Sequence, residues 1–184
     1  MIDRRTSQYV ALDRDGTVVR YVPYLTRPED VELVSSAGFA IARLNRAGTR
    51  VVLVTNQSVV ARGALTLERL GEIHERISGL LAEQDAHLDA ILICPHAPKD
   101  HCQCRKPKPG LLARYLEQER LLPRNGYVVG DNVTDIQLAL NIGAKPVHVQ
   151  GGVHSTLEVS ARYAEVVSVA NVGRAVDFIL GESE

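Results

Sequence analysis

The sequence predicts an α/β fold: one domain over residues 1–184, built on a parallel sheet with helices on both faces. Three observations carry that expectation. Apolar, β-rich runs alternate with segments patterned as helices, which is the order of βαβ units. A chain of 184 residues with 45% hydrophobic and 23% charged residues can bury one sizeable core. No internal repeat, low-complexity tract or linker divides it.

Strands are expected at residues 8–13, 50–54, 89–94, 127–131 and 145–150, with a weaker sixth at 164–169. Helices are expected at 36–47, 67–85, 110–120, 133–142 and 172–180. The 67–85 segment is the clearest: Leu67, Leu70, Ile73, Ile77 and Leu80 recur at helical spacing behind Thr66, an N-capping hydroxyl. Gly71 and Gly79 inside it weaken the pattern slightly. Two connections are long. Residues 14–34 follow the first strand, with Pro23 and Pro28 preventing a continuous helix. Residues 94–109 hold every cysteine and four prolines. Connections of this length in a small domain are usually functional or disordered.

The net charge of -1 and the sparse aromatic residues, with no Trp, argue against a nucleic-acid partner. No apolar run approaches the roughly 18 residues of a membrane span. The start Met1-Ile2-Asp3-Arg4-Arg5 lacks the apolar core of a secretory signal. The expectation is a cytoplasmic monomer with a small-molecule substrate and no membrane attachment.

Chemistry gathers where strands are expected to end. In Asp13-Arg14-Asp15-Gly16-Thr17 two carboxylates stand two residues apart where an apolar strand meets a glycine turn. Side chains at that spacing on a strand point the same way, so Asp13 and Asp15 can converge on one crevice. Two such acids can share a divalent cation, one acting as nucleophile and one as proton shuttle. The same residues also suit an ordinary surface turn. Thr55-Asn56-Gln57-Ser58 offers a hydroxyl and backbone amides to phosphate oxygens, or simply another turn. Asp131, at the fourth strand's tip, is a candidate Mg²⁺ ligand beside Asp13, whereas Asp135 reads as a supporting charge at a helix start. Arg105 and Lys106, stiffened by Pro107 and Pro109, offer positive charge to a phosphoryl group. A solvated basic turn is the plainer alternative.

The segment from Cys94 to Cys104 contains three thiols and two imidazoles. Cys94 and His96, five intervening residues, then Cys102 and Cys104 form a tetrahedral Cys₃His pattern. His101 competes with His96, but its neighbour Cys102 makes simultaneous binding difficult. Four protein ligands would close the coordination sphere, making this zinc structural and anchoring Arg105 and Lys106.

Taken together, Asp13-x-Asp15-Gly16-Thr17, Thr55, Lys106 and Gly130-Asp131-x3-Asp135 resemble the four motifs of the haloacid dehalogenase superfamily of phosphatases. The Cys-Pro-His…Cys-x-Cys-Arg-Lys-Pro loop at 94–107 resembles its heptose-bisphosphate and histidinol-phosphate branch. The resemblance implies a three-layer Rossmann-like sheet with a minimal cap. It also implies Mg²⁺-dependent hydrolysis of a sugar phosphate through a phosphorylated Asp13, with Asp15 as acid and base. Mg²⁺ would be held by Asp13, Asp131 and the backbone carbonyl of Asp15. Thr55, Asn56 and Lys106 would cradle the phosphoryl oxygens, and Arg105 would orient the substrate. Arg14, Gln57, Ser58, Tyr24 and Arg62 join the expected substrate-binding set.

Ala61-Arg62-Gly63 and the second Pro-Gly, Pro109-Gly110, favour removal of the 7-phosphate of D-glycero-D-manno-heptose 1,7-bisphosphate. The short His96-to-Cys102 spacing resembles the histidinol branch, the alternative substrate. A non-catalytic, zinc-stabilised phospho-ligand module is the reading from another class. Val19 and Val59 depart from the family's usual Asn and Gly, and the loop from Val18 to Tyr24 is expected to touch the sugar.

Overall fold

Side chains alternate along β1 (Tyr9–Leu12), and the two faces they define organise the molecule. The computed structural model describes residues 9–151, 159 and 161–181; the expected strand start at Gln8 and the segment Met1–Arg5 lie outside them. The further strands are β2 (Arg50–Asn56), β3 (Ala90–Cys94), β4 (Gly126–Gly130), β5 (Lys145–Val149) and β6 (Val167–Val169). The described helices are α1 (Ala37–Arg46), α2 (Ser58–Ala61), α3 (Leu67–Ala82), α4 (Gly110–Gln118), α5 (Val133–Ile142) and α6 (Val172–Leu180).

The six strands lie in the order β3-β2-β1-β4-β5-β6 and every pairing is parallel. Val10 and Leu12 point to one face, into a cluster with Ile41 and Leu44 of α1, Ile73 and Ile77 of α3, and Val176 of α6. Tyr9 and Ala11 point to the other, against Leu112 and Leu116 of α4 and Leu138 of α5. Both faces are therefore covered, as the continuous apolar runs of a parallel sheet require. The expected three-layer α/β architecture is the observed one.

Differences are local. β2 runs past its expected end at residue 54, because Thr55 and Asn56 pair with Ile93 and Cys94 of β3. That extension carries both polar residues to the crevice. α3 stops at Ala82, and Asp85 turns the chain with a left-handed φ of 55°. Thr66 does cap it: its hydroxyl accepts from the Arg69 N–H at 3.1 Å. The weak sixth strand shrinks to Val167–Val169. α2 and short 3₁₀ turns at Pro28–Asp30, Pro98–Asp100 and Pro123–Asn125 have no counterpart in the sequence reading.

The 14–34 connection is folded back on itself. Gly16 N–H donates to Val19 O at 2.7 Å, Arg20 N–H to Glu32 O at 2.9 Å and Val34 N–H to Val18 O at 2.9 Å. Val18 and Val19 are fully buried in the core. The expectation that they touch a sugar is therefore corrected. Burial rewards two valines more than a polar crevice does. Tyr21 and Tyr24, further along, are exposed instead.

Candidate active site at the switch point of the sheet

β1 lies between β2 and β4, where successive connections leave in opposite directions. Open parallel sheets bind ligands at the carboxyl ends of strands flanking that point. Asp13 follows β1 directly, its N–H continuing the ladder to Val129 O at 2.9 Å. Asp131 and Asp135 come from the end of β4 and the first turn of α5. Two glycines make room for them. A Cβ on Gly16, whose φ is +86°, would lie 2.2 Å from Asp131 Oδ2, and one on Gly130 would lie 2.3 Å from the Asp135 carboxyl carbon.

The oxygens of Asp13, Asp131 and Asp135 lie within 4.8 Å of one another. Lys106 enters this group from the loop after β3. Its Nζ donates to Asp13 Oδ1 at 2.5 Å and to Val54 O at 2.7 Å, and pairs with Asp135 Oδ1 at 2.7 Å. Asn56 holds that loop in place: its amide donates to Lys106 O at 3.1 Å and accepts from Lys106 N–H at 3.0 Å.

Electrostatics follow from this crowding. Burial pushes the Asp13 carboxyl up to about 8; Lys106 opposes the shift and Asp135, Asp15 and Asp131 reinforce it. Asp131 rises to about 6, through burial first and Asp135 second. Burial alone would depress the Lys106 ammonium, but Asp13 and Asp135 outweigh it and hold it protonated. Three carboxylates face one ammonium, which leaves two negative charges uncompensated when all are ionised. A hard divalent cation with oxygen preference fits that donor set.

Two cavities share a wall. The inner one, about 230 Å³, is lined by Asp13, Thr55, Lys106, Asp131 and Asp135, with Arg105 among its residues. The outer one, about 280 Å³, is lined by Tyr24, Gln57, Ser58, Val59 and Arg62 among others. Asp15, Tyr21 and Asn56 line both. The Asp15 carboxylate is gripped from behind. Arg14 reaches it with Nε at 3.0 Å and Nη2 at 2.9 Å, and Gln57 Nε2 donates to it at 3.0 Å. The same Gln57 amide donates to Thr55 Oγ1 at 2.7 Å.

In the cysteine loop, Cys94 Sγ stands 3.6 Å from Cys102 Sγ, 3.3 Å from Cys104 Sγ and 3.8 Å from His96 Nδ1. A zinc tetrahedron with bonds near 2.3 Å has edges of roughly 3.8 Å. His101 is not among the four residues that converge. Burial pushes the Cys94 thiol up to about 12, a value a soft dication would reverse by taking the thiolate. Arg105 Nη1 donates to His96 O at 3.1 Å, which ties this loop to the crevice rim.

A family model described as HAD-hydrolase-like matches residues 103–173. The D-glycero-beta-D-manno-heptose-1,7-bisphosphate 7-phosphatase of Yersinia pestis is 36% identical over 177 residues, covering 91% of this chain and 94% of that protein. The chain belongs to the haloacid dehalogenase-like phosphatases. The enzyme of the same name from Pseudomonas putida is 41% identical over 143 residues, 77% of this chain and 81% of the relative. Among solved structures, a D,D-heptose 1,7-bisphosphate phosphatase from B. bronchiseptica, complexed with magnesium and phosphate, superposes with a TM-score of 0.88 at 31% identity, covering 96% of this chain and 99% of that one.

For a haloacid dehalogenase-like phosphatase, the expected residues fall into place unevenly. Asp13, Thr55, Arg105, Lys106 and Asp131 line the inner cavity, while Tyr24, Ser58 and Arg62 line the outer one. Arg14, expected to grip substrate, borders the outer cavity but is only 2% exposed and turns its guanidinium to Asp15 and His74. Asn56 and Gln57 commit their side-chain amides to Lys106 and Asp15 while still lining cavity walls. Asp15 stands outside the carboxylate cluster, so its side chain is not placed among the cation ligands. Asp135 joins that cluster and also accepts from the Asn132 N–H at 3.2 Å. Asn132 and Thr134, which also line the inner cavity, were missed, as was the contact of His74 with Arg14, since His74 reads as one polar position on an apolar helix; Tyr21 was included only as part of the 18–24 loop. Among the described residues no helix is long and apolar enough to cross a membrane.

Proposed function

We propose that this phosphatase hydrolyses a sugar phosphate through a phosphorylated Asp13, and that its substrate is D-glycero-D-manno-heptose 1,7-bisphosphate, cleaved at the 7-phosphate. One observation carries the chemistry. Asp13 sits inside the inner cavity, and Asp15 stands on the wall between that cavity and the outer one. A phosphoryl group in the inner cavity thus has a nucleophile on one side, and its leaving oxygen meets an acid at the boundary.

An Asp13 oxygen attacks phosphorus, the ester P–O bond breaks, and Asp15 delivers its proton to the departing alkoxide. Water then attacks the aspartyl-phosphate. The bond to Asp13 breaks, and Asp15 takes the water's proton. Lys106 and the Thr55 hydroxyl neutralise and orient the phosphoryl oxygens, and Arg105 guides the substrate at the rim. Asp13 and Asp131, with Asp135 beside them and the Asp15 backbone carbonyl, would hold Mg²⁺. That ion would add charge neutralisation at the transferred group.

Cys94, His96, Cys102 and Cys104 would hold a structural Zn²⁺. Clustered thiols suit a reducing cytoplasm, and the reading is of a monomeric enzyme. The names of the relatives favour the heptose substrate. So does Arg62, whose cation in the outer cavity suits a second phosphate.

Phosphate release with Mg²⁺ should be faster from the heptose bisphosphate, one anomer exceeding the other, than from histidinol phosphate. A preference for histidinol phosphate would overturn the substrate. No release from any ester would leave a ligand-binding module.

A further inference from the structure

Behind Asp15 lies a buried polar chain that the reaction as described does not use. Arg14 is 2% exposed, and His74 on α3 is 5% exposed among Leu70, Ile73 and Ile77. A buried guanidinium must place its donors, because each unmet one loses its hydration without return. Arg14 spends Nε and Nη2 on the Asp15 carboxylate and turns Nη1 to His74 Nε2 at 3.4 Å. Arginine offers donors only, so His74 Nε2 presents its lone pair and the ring proton sits on Nδ1. Burial, with Arg14 second, lowers the His74 pKa to about 4, which keeps the ring an acceptor at neutral pH. Gln57, 4% exposed, closes the other side of the carboxylate.

We propose that His74 is a positioning residue: by anchoring Arg14 from α3, it fixes the Asp15 carboxylate at the boundary between the two cavities, where the leaving oxygen must be protonated. This rests on the phosphatase reading above. The Arg14 fork alone leaves the guanidinium free to pivot about its own side chain. The contact to α3 supplies the third point that removes this freedom. Small displacements of an acid from its proton-transfer geometry reduce rates strongly.

The test compares the first half-reaction of two esters in each variant, because the second, hydrolysis of one and the same aspartyl-phosphate, also draws on Asp15. An alkyl sugar phosphate needs a proton on its leaving oxygen, whereas p-nitrophenolate departs without one. His74→Phe, which keeps the volume and removes the acceptor, should slow single-turnover release of the heptose product on the order of tenfold, leaving the p-nitrophenolate burst within about twofold. His74→Gln, whose amide oxygen restores an acceptor, should recover most of the loss. His74→Leu, a second apolar replacement, should show the same selective loss, so it carries the test if His74→Phe does not fold. Equal losses of the phosphorylation step on both esters, no loss on either, or a His74→Gln enzyme no better than His74→Phe would each overturn the proposal. A wild-type protein that hydrolyses neither ester would overturn the phosphatase reading, and this inference with it.

Discussion

The two clusters of candidate metal ligands are built in opposite ways. Asp13 stands more than 110 residues from Asp131 and Asp135, and the three carboxylates meet because β1 and β4 pair in register. The thiols and imidazole of the cysteine loop come from eleven consecutive residues. Sheet pairing therefore preassembles the first cluster with or without an ion, and its three buried acids repel until a dication or Lys106 relieves them. The second lies within one loop, where a bound dication would add order. One cluster is assembled by the fold, the other by closeness along the chain.

The sharpest way to break this comparison is at Asp13. Asp13→Asn keeps shape and removes the proposed nucleophile, so kcat should fall by about 10⁴-fold or more. Phosphate release near the wild-type rate would remove Asp13 from the chemistry. Lys106→Met should come next, with a loss of about 10² to 10³ in kcat. It also strips the buried carboxylates of their cation, so Tm without Mg²⁺ should drop and recover when Mg²⁺ is added. A Tm unaffected by Mg²⁺ in that variant would argue against a cation site among the acids.

Removing zinc with a selective chelator should raise KM about tenfold with a smaller change in kcat, because the loop delivers Arg105 and Lys106. Unchanged KM in verified zinc-free protein would separate the loop from the crevice. The smallest effect is a pH slope. Asp13 at about 8 and Asp131 at about 6 both sit above the unfolded value of 3.8. Their protons thus stabilise the folded state below about pH 4, and that contribution fades as pH climbs toward about 8. Metal-free protein should lose Tm steadily between pH 5 and 8, each kcal/mol lost lowering a domain of this size by roughly 2–4 °C. Saturating Mg²⁺ should flatten that slope; a slope unchanged by Mg²⁺ would place the ion elsewhere.

Sequence legibility followed the same divide. The Cys₃His grouping and the choice of His96 over His101 were readable from spacing, because the whole constellation is local. Asp13, Thr55, Lys106 and Asp131 were readable because strand ends recur in order along the chain. Arg14 borders the outer cavity and spends its guanidinium on Asp15 and His74. Its side chain could be assigned only once α3 was seen to bring His74 against it, across 60 residues. Val18 and Val19 were misjudged for a related reason: the 14–34 connection looked like a loop, and its backbone bonds to residues 32–34 pull it into the core.

By itself, the sequence determined the alternation of strands and helices, the apolar faces that layer them, and which residue types stand at each strand end. Those are properties of neighbours along the chain, set by side-chain periodicity and turn chemistry. Tertiary structure alone decided that Asp135 would join the acid cluster, that Arg14 would turn inward, and that Asp15 would stand between two cavities. Such outcomes depend on which distant groups share a low-dielectric volume, where unmet charge and unmet hydrogen bonds cost most.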